Sequence, residues 1–242
     1  MNRFRLIAAA VVAAAFSTAP LSAQRLGPTE QVQLTGVGDR VVSTWDNVYV
    51  GPYEGMLVSD PTQPALTLYC VDYAHGVSTG DTWHVNTTGL QSGLDLSNTR
   101  LGGEEPVASL VRYRRAAYLA SLFSANAGDR SAISGIHAAI WSTMTPGFPG
   151  LSGVNNPGRA NRVAQPWLAM VDEAESEGFV GMNWAEWRIL SDVEADGHVG
   201  GKQEYLTRVT ATPEPETWLM LATGLLLLGV FYRRRQNLLE DI

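Results

Sequence analysis

Two short segments hold the residue types that could do chemistry together. "LYCVDYAH", Leu68 to His75, contains Cys70, the only cysteine of the 242-residue chain, and "GIHAAIW", Gly135 to Trp141, contains His137. A thiol held against an imidazole can ionise to a thiolate stabilised by imidazolium, which is how a cysteine nucleophile is activated. Asp72 is the nearest acidic group in sequence that could orient such a pair. The same residues allow two other readings. Cys70 can be a small buried hydrophobe and His137 a packed helix residue with one hydrogen bond. Alternatively, Cys70, His75, His84 and His137 could bind a metal, although their spacing matches no standard zinc pattern.

Other candidates are weaker. Asp72 and His75 fall in a strand or its turn, and within a strand they would point to opposite faces. Trp83 with His84, and Trp184 with Trp187, are residue types that stack on carbohydrate, but they equally suit a core. Asp172, Glu173, Glu175 and Glu177 form a charge run that reads as the solvated face of a helix. The sequence contains no EF-hand loop, Gly-rich phosphate loop or nucleophile elbow. The whole chain carries a net charge of −7. Residues 24–212 are likewise net negative and hold one lysine, Lys202. Polyanion binding through a basic patch is therefore not supported, and no nucleic-acid partner is expected.

The elements that must position these residues change character along the chain. From Glu30 to about Val85, "VQLTGV", "VVSTW", "NVYVGPYEGMLV", "ALTLYCV" and "TWHVNT" read as strands broken by Gly, Pro and Asp. From Gly103 the period becomes helical, with Glu104, Glu105 and Pro106 at a start and Val107, Leu110, Val111 and Tyr118 along one face. A second helix opens near Asp129. Its apolar residues Ile133, Ile136, Ile140, Trp141 and Met144 recur at three and four, and His137 lies on that stripe. "TPGFPGLSGVNNPG", Thr145 to Gly158, reads as an irregular connection, and a third helix starts near Pro166. After Trp187, "WRILSDV" and "EYLTRVTAT" return to strand character. The expectation is one α+β domain over residues 24–212, a β-sandwich or barrel-like sheet interrupted by a helical block. Val107, Leu110, Ile133, Ile140 and Trp141 should pack against the sheet that contains Cys70.

The ends read as targeting signals. Arg3 and Arg5 precede an apolar run from Leu6 to Phe16 and small residues up to Ala23, which predicts a signal peptide over residues 1–23. At the other end, residues 213–242 contain Pro213, Glu214 and Pro215, an uncharged run over 218–232, and Arg233, Arg234 and Arg235. As a helix that run is about 22 Å long at 1.5 Å per residue, short of a ~30 Å hydrocarbon core. Trp218 and Tyr232 mark interfaces and the arginines hold the cytoplasmic side. This order resembles the PEP-CTERM sorting signal. The resemblance implies a Gram-negative source, passage through signal peptidase and exosortase, and transient anchoring in the inner membrane through the short transmembrane helix. Release then leads to the outer surface or an extracellular matrix.

A second resemblance lies between the ends. Tyr69-Cys70-Val71, together with Ile136, His137, Ala138, Ala139, Ile140 and Trp141, resembles the two signature segments of bacterial thioester domains. In that family the second segment carries a Gln whose side chain condenses with the Cys to an internal thioester. Here His137 occupies that position. Imidazole has no acyl carbon to give to sulfur, so the resemblance implies a thioester-like domain without the bond. Gln91 and Gln165 are alternative acyl donors, but neither sits in a matching motif. The expectation is an exported, non-catalytic protein with no cofactor and no metal. Its adhesive or biofilm-associated role would involve extracellular polysaccharide or another surface protein. The alternative is a Cys70–His137 hydrolase or transferase.

Overall fold

The structure is a computed structural model that describes residues 30–60, 63–91, 93, 95–193, 201–209 and 223–225. Six strands close a barrel: β1 (Glu30–Gly36), β4 (Tyr53–Leu57), β5 (Ala65–Cys70), β8 (Tyr205–Arg208), β7 (Trp187–Asp192) and β6 (Thr82–Gly89), neighbours in that order and β6 back on β1. Every neighbouring pair is antiparallel. Closure pairs the edges that an open sheet would expose. A separate two-stranded hairpin, β2 (Val41–Val42) with β3 (Tyr49–Val50), leads into β4.

Side-chain alternation sets what faces the lumen. Cys70 lies opposite Tyr205 and Leu68 opposite both Tyr53 and Thr207, so these residues share one face. That face is the interior, because Tyr205 meets Tyr53 and Trp83 across strands that are not neighbours, with centroids 5.9 Å apart in each case. Tyr69, Leu206 and Ile189 alternate to the other side and are covered by the helical block, where Tyr69 stacks on Phe123. The barrel is thus buried on both faces along β5, β8 and β7, which accounts for the near-continuous burial of β7.

The helical block is inserted between β6 and β7. α1 (Pro106–Ser121) starts on the Glu105 carboxylate, which accepts from the Val107 N–H, with Pro106 in the first turn, where its missing N–H costs nothing. α2 (Arg130–Met144) starts on Asp129, whose carboxylate accepts from the N–H groups of Ser131 and Ala132. α3 (Pro157–Ser176) starts on Asn156. α2 is sandwiched between α1 and α3 and touches the β2–β3 hairpin. Gly135 permits the α2–α3 approach, since a Cβ there would lie 2.7 Å from the Val163 carbonyl oxygen.

Three expectations are corrected. The third helix begins at Pro157, not near Pro166, which lies inside it. Its true start combines an Asn cap with a first-turn proline inside a Gly- and Pro-rich run that reads as loop. Val107 is 70% exposed and does not pack on the sheet. It lies on the outer side of the first turn of α1, whose inner side is taken by the fully buried Ser109 bonded to the Leu101 carbonyl. Leu110 is half-buried, whereas Ile133, Ile140 and Trp141 are buried as expected. Asp172 and Glu175 are not merely solvated, because Arg115 of α1 pairs with both and ties α1 to α3. Among the described residues no helix is long and apolar enough to cross a membrane. The expected signal peptide, Pro213-Glu214-Pro215 and Arg233 to Arg235 lie outside the described residues, as does the 218–232 span apart from 223–225.

Candidate functional site

β5 and α2 bring Cys70 and His137 together, but the bond between them runs through the backbone. Cys70 is the last residue of β5 and His137 is on the buried face of α2. His137 Nε2 lies 3.0 Å from the Cys70 carbonyl oxygen, and His137 Nδ1 accepts from the Gly51 N–H at 2.7 Å. Gly51 has φ of +104°, a left-handed turn conformation that glycine adopts freely and that aims its N–H at the ring. A backbone N–H can only donate and a carbonyl can only accept. The imidazole is therefore the neutral tautomer with its proton on Nε2, and neither nitrogen is left for the sulfur.

Protonation follows from burial. Both residues are wholly inaccessible. Desolvation pushes the His137 pKa down to about 3, against the opposing effect of its bond to the Cys70 carbonyl. Desolvation likewise pushes the Cys70 thiol up to about 12, and its S–H donates to the Asp72 carbonyl at 3.3 Å. The Trp141 indole N–H, which has no acceptor in good geometry, favours the thiolate only weakly. A thiolate–imidazolium pair would need both shifts reversed. The remaining residues of the two segments are packing residues: Val71 and Ile136 are buried, and the Trp141 ring sits 4.2 Å from the His137 ring.

Beyond Cys70 the strand ends, so Asp72 and His75 do not alternate in a sheet. They meet in the loop, His75 Nδ1 to Asp72 Oδ2 at 2.7 Å, and Arg100 Nε lies 3.2 Å from the same oxygen. Behind them is a fully buried carboxyl, Glu204, which accepts from Tyr113 Oη and Ser191 Oγ at 2.6 Å each and from the Arg100 N–H at 2.8 Å. Burial raises its pKa against the pull of these donors. This group borders a small cavity of about 190 Å³. Sequence reasoning missed Glu204 and Arg100. The available signal was a lone acidic residue leading into the apolar strand "EYLTR".

Several candidates do not converge. His84 sits on the surface at 2.9 Å from Gln31 Nε2, away from Cys70. Among the described residues no group of three or more His, Cys, Asp or Glu is placed to hold a metal. Gln91 is exposed beyond β6, and Gln165 bonds Asn161 along α3. The glutamine near the thiol is Gln203, whose Nε2 donates at 3.3 Å to the same Asp72 carbonyl that the thiol uses. Trp83 and Trp187 are buried, and Trp184 packs edge-on to Phe179 with the Arg114 guanidinium 5.0 Å from its ring. Neither tryptophan pair is an open platform.

A larger cleft opens between the β2–β3 hairpin and the loop after β5. Its volume is about 540 Å³, within the range of small-molecule sites, and it reaches down to Trp141. Tyr49, Tyr53 and Tyr73 supply aromatic walls, and Asn47, His75 and Gln203 supply polar groups.

Comparison with curated proteins and with solved structures finds no match. The family model for the PEP-CTERM protein-sorting motif matches residues 211–236, the segment that contains Pro213-Glu214-Pro215 and Arg233 to Arg235. The chain carries a PEP-CTERM sorting motif, and that motif implies an exosortase-processed, membrane-transiting precursor destined for the cell surface or beyond it.

Proposed function

We propose that the mature protein is a non-catalytic component of the cell surface or of the exopolysaccharide matrix, with an adhesive or biofilm-associated role. Its α+β domain is a thioester-like domain in which His137 has replaced the acyl donor. The observation that carries this reading is the state of the pair: a sealed, protonated thiol beside a neutral imidazole whose nitrogens both serve the backbone. In this state His137 acts as a clasp, joining the hairpin, β5 and α2, and the residues that would make a bond make a core.

Alkylation tests it. At pH 7.5 a thiol with a pKa of about 12 is ionised roughly a thousandfold less than an ordinary cysteine, before any loss of access is counted. Iodoacetamide should leave the folded protein unmodified and label it once after unfolding. Rapid labelling of the folded protein would favour the Cys70–His137 hydrolase or transferase instead.

A second reading rests on one observation, the shared Asp72 carbonyl, which holds the Gln203 carboxamide and the Cys70 thiol on the same oxygen. It makes Gln203 the acyl donor of a thioester, with loss of ammonia. Against it, the Gln203 amide is already held by the Tyr205 hydroxyl at 2.8 Å. A mass deficit of one ammonia that disappears in Gln203→Leu would establish it.

A further inference from the structure

We propose that the cleft between the β2–β3 hairpin and the loop after β5 binds a neutral saccharide unit. The proposal rests on the surface or matrix reading only for the source of the glycan; the site itself is argued from its walls.

The walls combine aromatic rings with amides, hydroxyls and the His75 imidazole, whose Nδ1 is held by Asp72, and among the described residues contain no Lys, Arg, Asp or Glu. No Lys or Arg lines it to pair an anionic ligand, no carboxylate lines it to pair a cationic one, and the Nδ1 of its single imidazole is already held by Asp72. A purely apolar ligand would leave the remaining hydrogen-bonding capacity of the Gln203 carboxamide unused. The Gln203 Oε1 accepts from Tyr205 and Nε2 donates one hydrogen to Asp72, which leaves one lone pair and one N–H for a ligand. Asn47, Ser78 and Thr79 add exposed polar groups at the mouth. A pyranose ring matches this set, because its C–H face is apolar enough to lie on a tyrosine and its hydroxyls both donate and accept.

The aromatic surface is also pre-organised. Tyr73 donates from its hydroxyl to Asp46 Oδ2 at 2.8 Å, and its ring is held 5.0 Å from both Trp141 and Phe148. Tyr53 donates to the Tyr49 carbonyl at 2.7 Å and so fixes the hairpin that carries the most open ring. Tyr49 itself is 47% exposed, whereas Tyr53 is buried and Tyr73 half-buried, so its ring is the one most open to a ligand. Rigid walls lower the ordering cost of binding a small, weakly held ligand.

The experiment is a titration of the purified exported protein, followed by saturation-transfer NMR and calorimetry. The probes are a neutral hexose, an N-acetylhexosamine, their disaccharides and a uronate disaccharide. A neutral probe should bind at millimolar concentration or better. Tyr49→Ala and Asn47→Ala, both at exposed positions, should each weaken it roughly tenfold with unchanged thermal unfolding. Three outcomes overturn the site: no neutral probe binds, the uronate binds better than its neutral counterpart, or both variants bind as the parent does. A reactive Cys70 with saccharide binding intact would sink the non-catalytic reading and leave this site standing. An inert Cys70 with no saccharide binding would sink this site alone.

Discussion

The neutrality of His137 should appear as an acid-dependent loss of stability that a glutamine at the same position abolishes. The folded protein holds the His137 pKa near 3, whereas the unfolded chain protonates it at its ordinary value of 6.5. The unfolded state therefore binds the extra proton first. The contribution is fully present above pH 6.5 and is lost as pH falls from there toward 3. Between pH 7 and pH 5 the loss is about 2 kcal/mol, at ~1.36 kcal/mol per unit below the unfolded pKa. That is a sizeable part of the roughly 5–15 kcal/mol that holds a domain together. His137→Gln can accept from the Gly51 N–H and donate to the Cys70 carbonyl, yet it does not titrate. The comparison is best made in a Cys70→Ala background, which removes the sulfur with which a glutamine could condense. Urea unfolding of Cys70→Ala and of Cys70→Ala/His137→Gln at both pH values gives the difference, with equal slopes confirming equal surface exposure. Glu204, whose raised pKa acts in the opposite direction, is common to both proteins and cancels. If both proteins lose the same free energy between the two pH values, the buried neutral imidazole is wrong.

Three further expectations follow from the packing and the ends. Trp141→Ala should cost about 3–5 kcal/mol in chemical unfolding, because its ring joins Trp45, Tyr73, His137 and Phe148; a cost under about 1 kcal/mol would remove it from the core. Gly135→Ala should destabilise by roughly 1–3 kcal/mol, since its Cβ would press on the Val163 carbonyl and the Trp167 ring; an unchanged unfolding midpoint would contradict the close α2–α3 contact. Neutralising Arg233, Arg234 and Arg235 together should impair retention and sorting, read by cell fractionation, because they close the sorting motif and their charge would orient the short span expected over 218–232; normal processing of that variant would count against the exosortase route.

The barrel was legible in part. Alternation in β5 and β6 and the turn residues between strands mark the strands themselves, since a buried face imposes a period of two. Closure was not legible, because it depends on β8 pairing with β5 across more than a hundred residues, and no local pattern encodes that partner. α2 declares itself through the Asp129 cap and its apolar stripe. α3 does not, because Pro166 reads as a start when it is an interior residue. At the site, proximity of Cys70 and His137 is readable from their two segments only with a resemblance in hand. The tautomer, the Gly51 contact and the shared Asp72 carbonyl arise from loops whose paths the sequence does not specify. Glu204 and Arg100 were missed because a buried carboxyl looks, in sequence, like any surface acid.

The central claim is that the domain carries its cysteine without using it, and one intact-mass measurement on the exported protein tests this most directly. The account predicts a chain that begins near Gln24, lacks Arg233 to Arg235, shows no deficit of one ammonia, and gains no mass from methylamine. A deficit of one ammonia that methylamine converts to an adduct would show an activated acyl group on Cys70 and would contradict it.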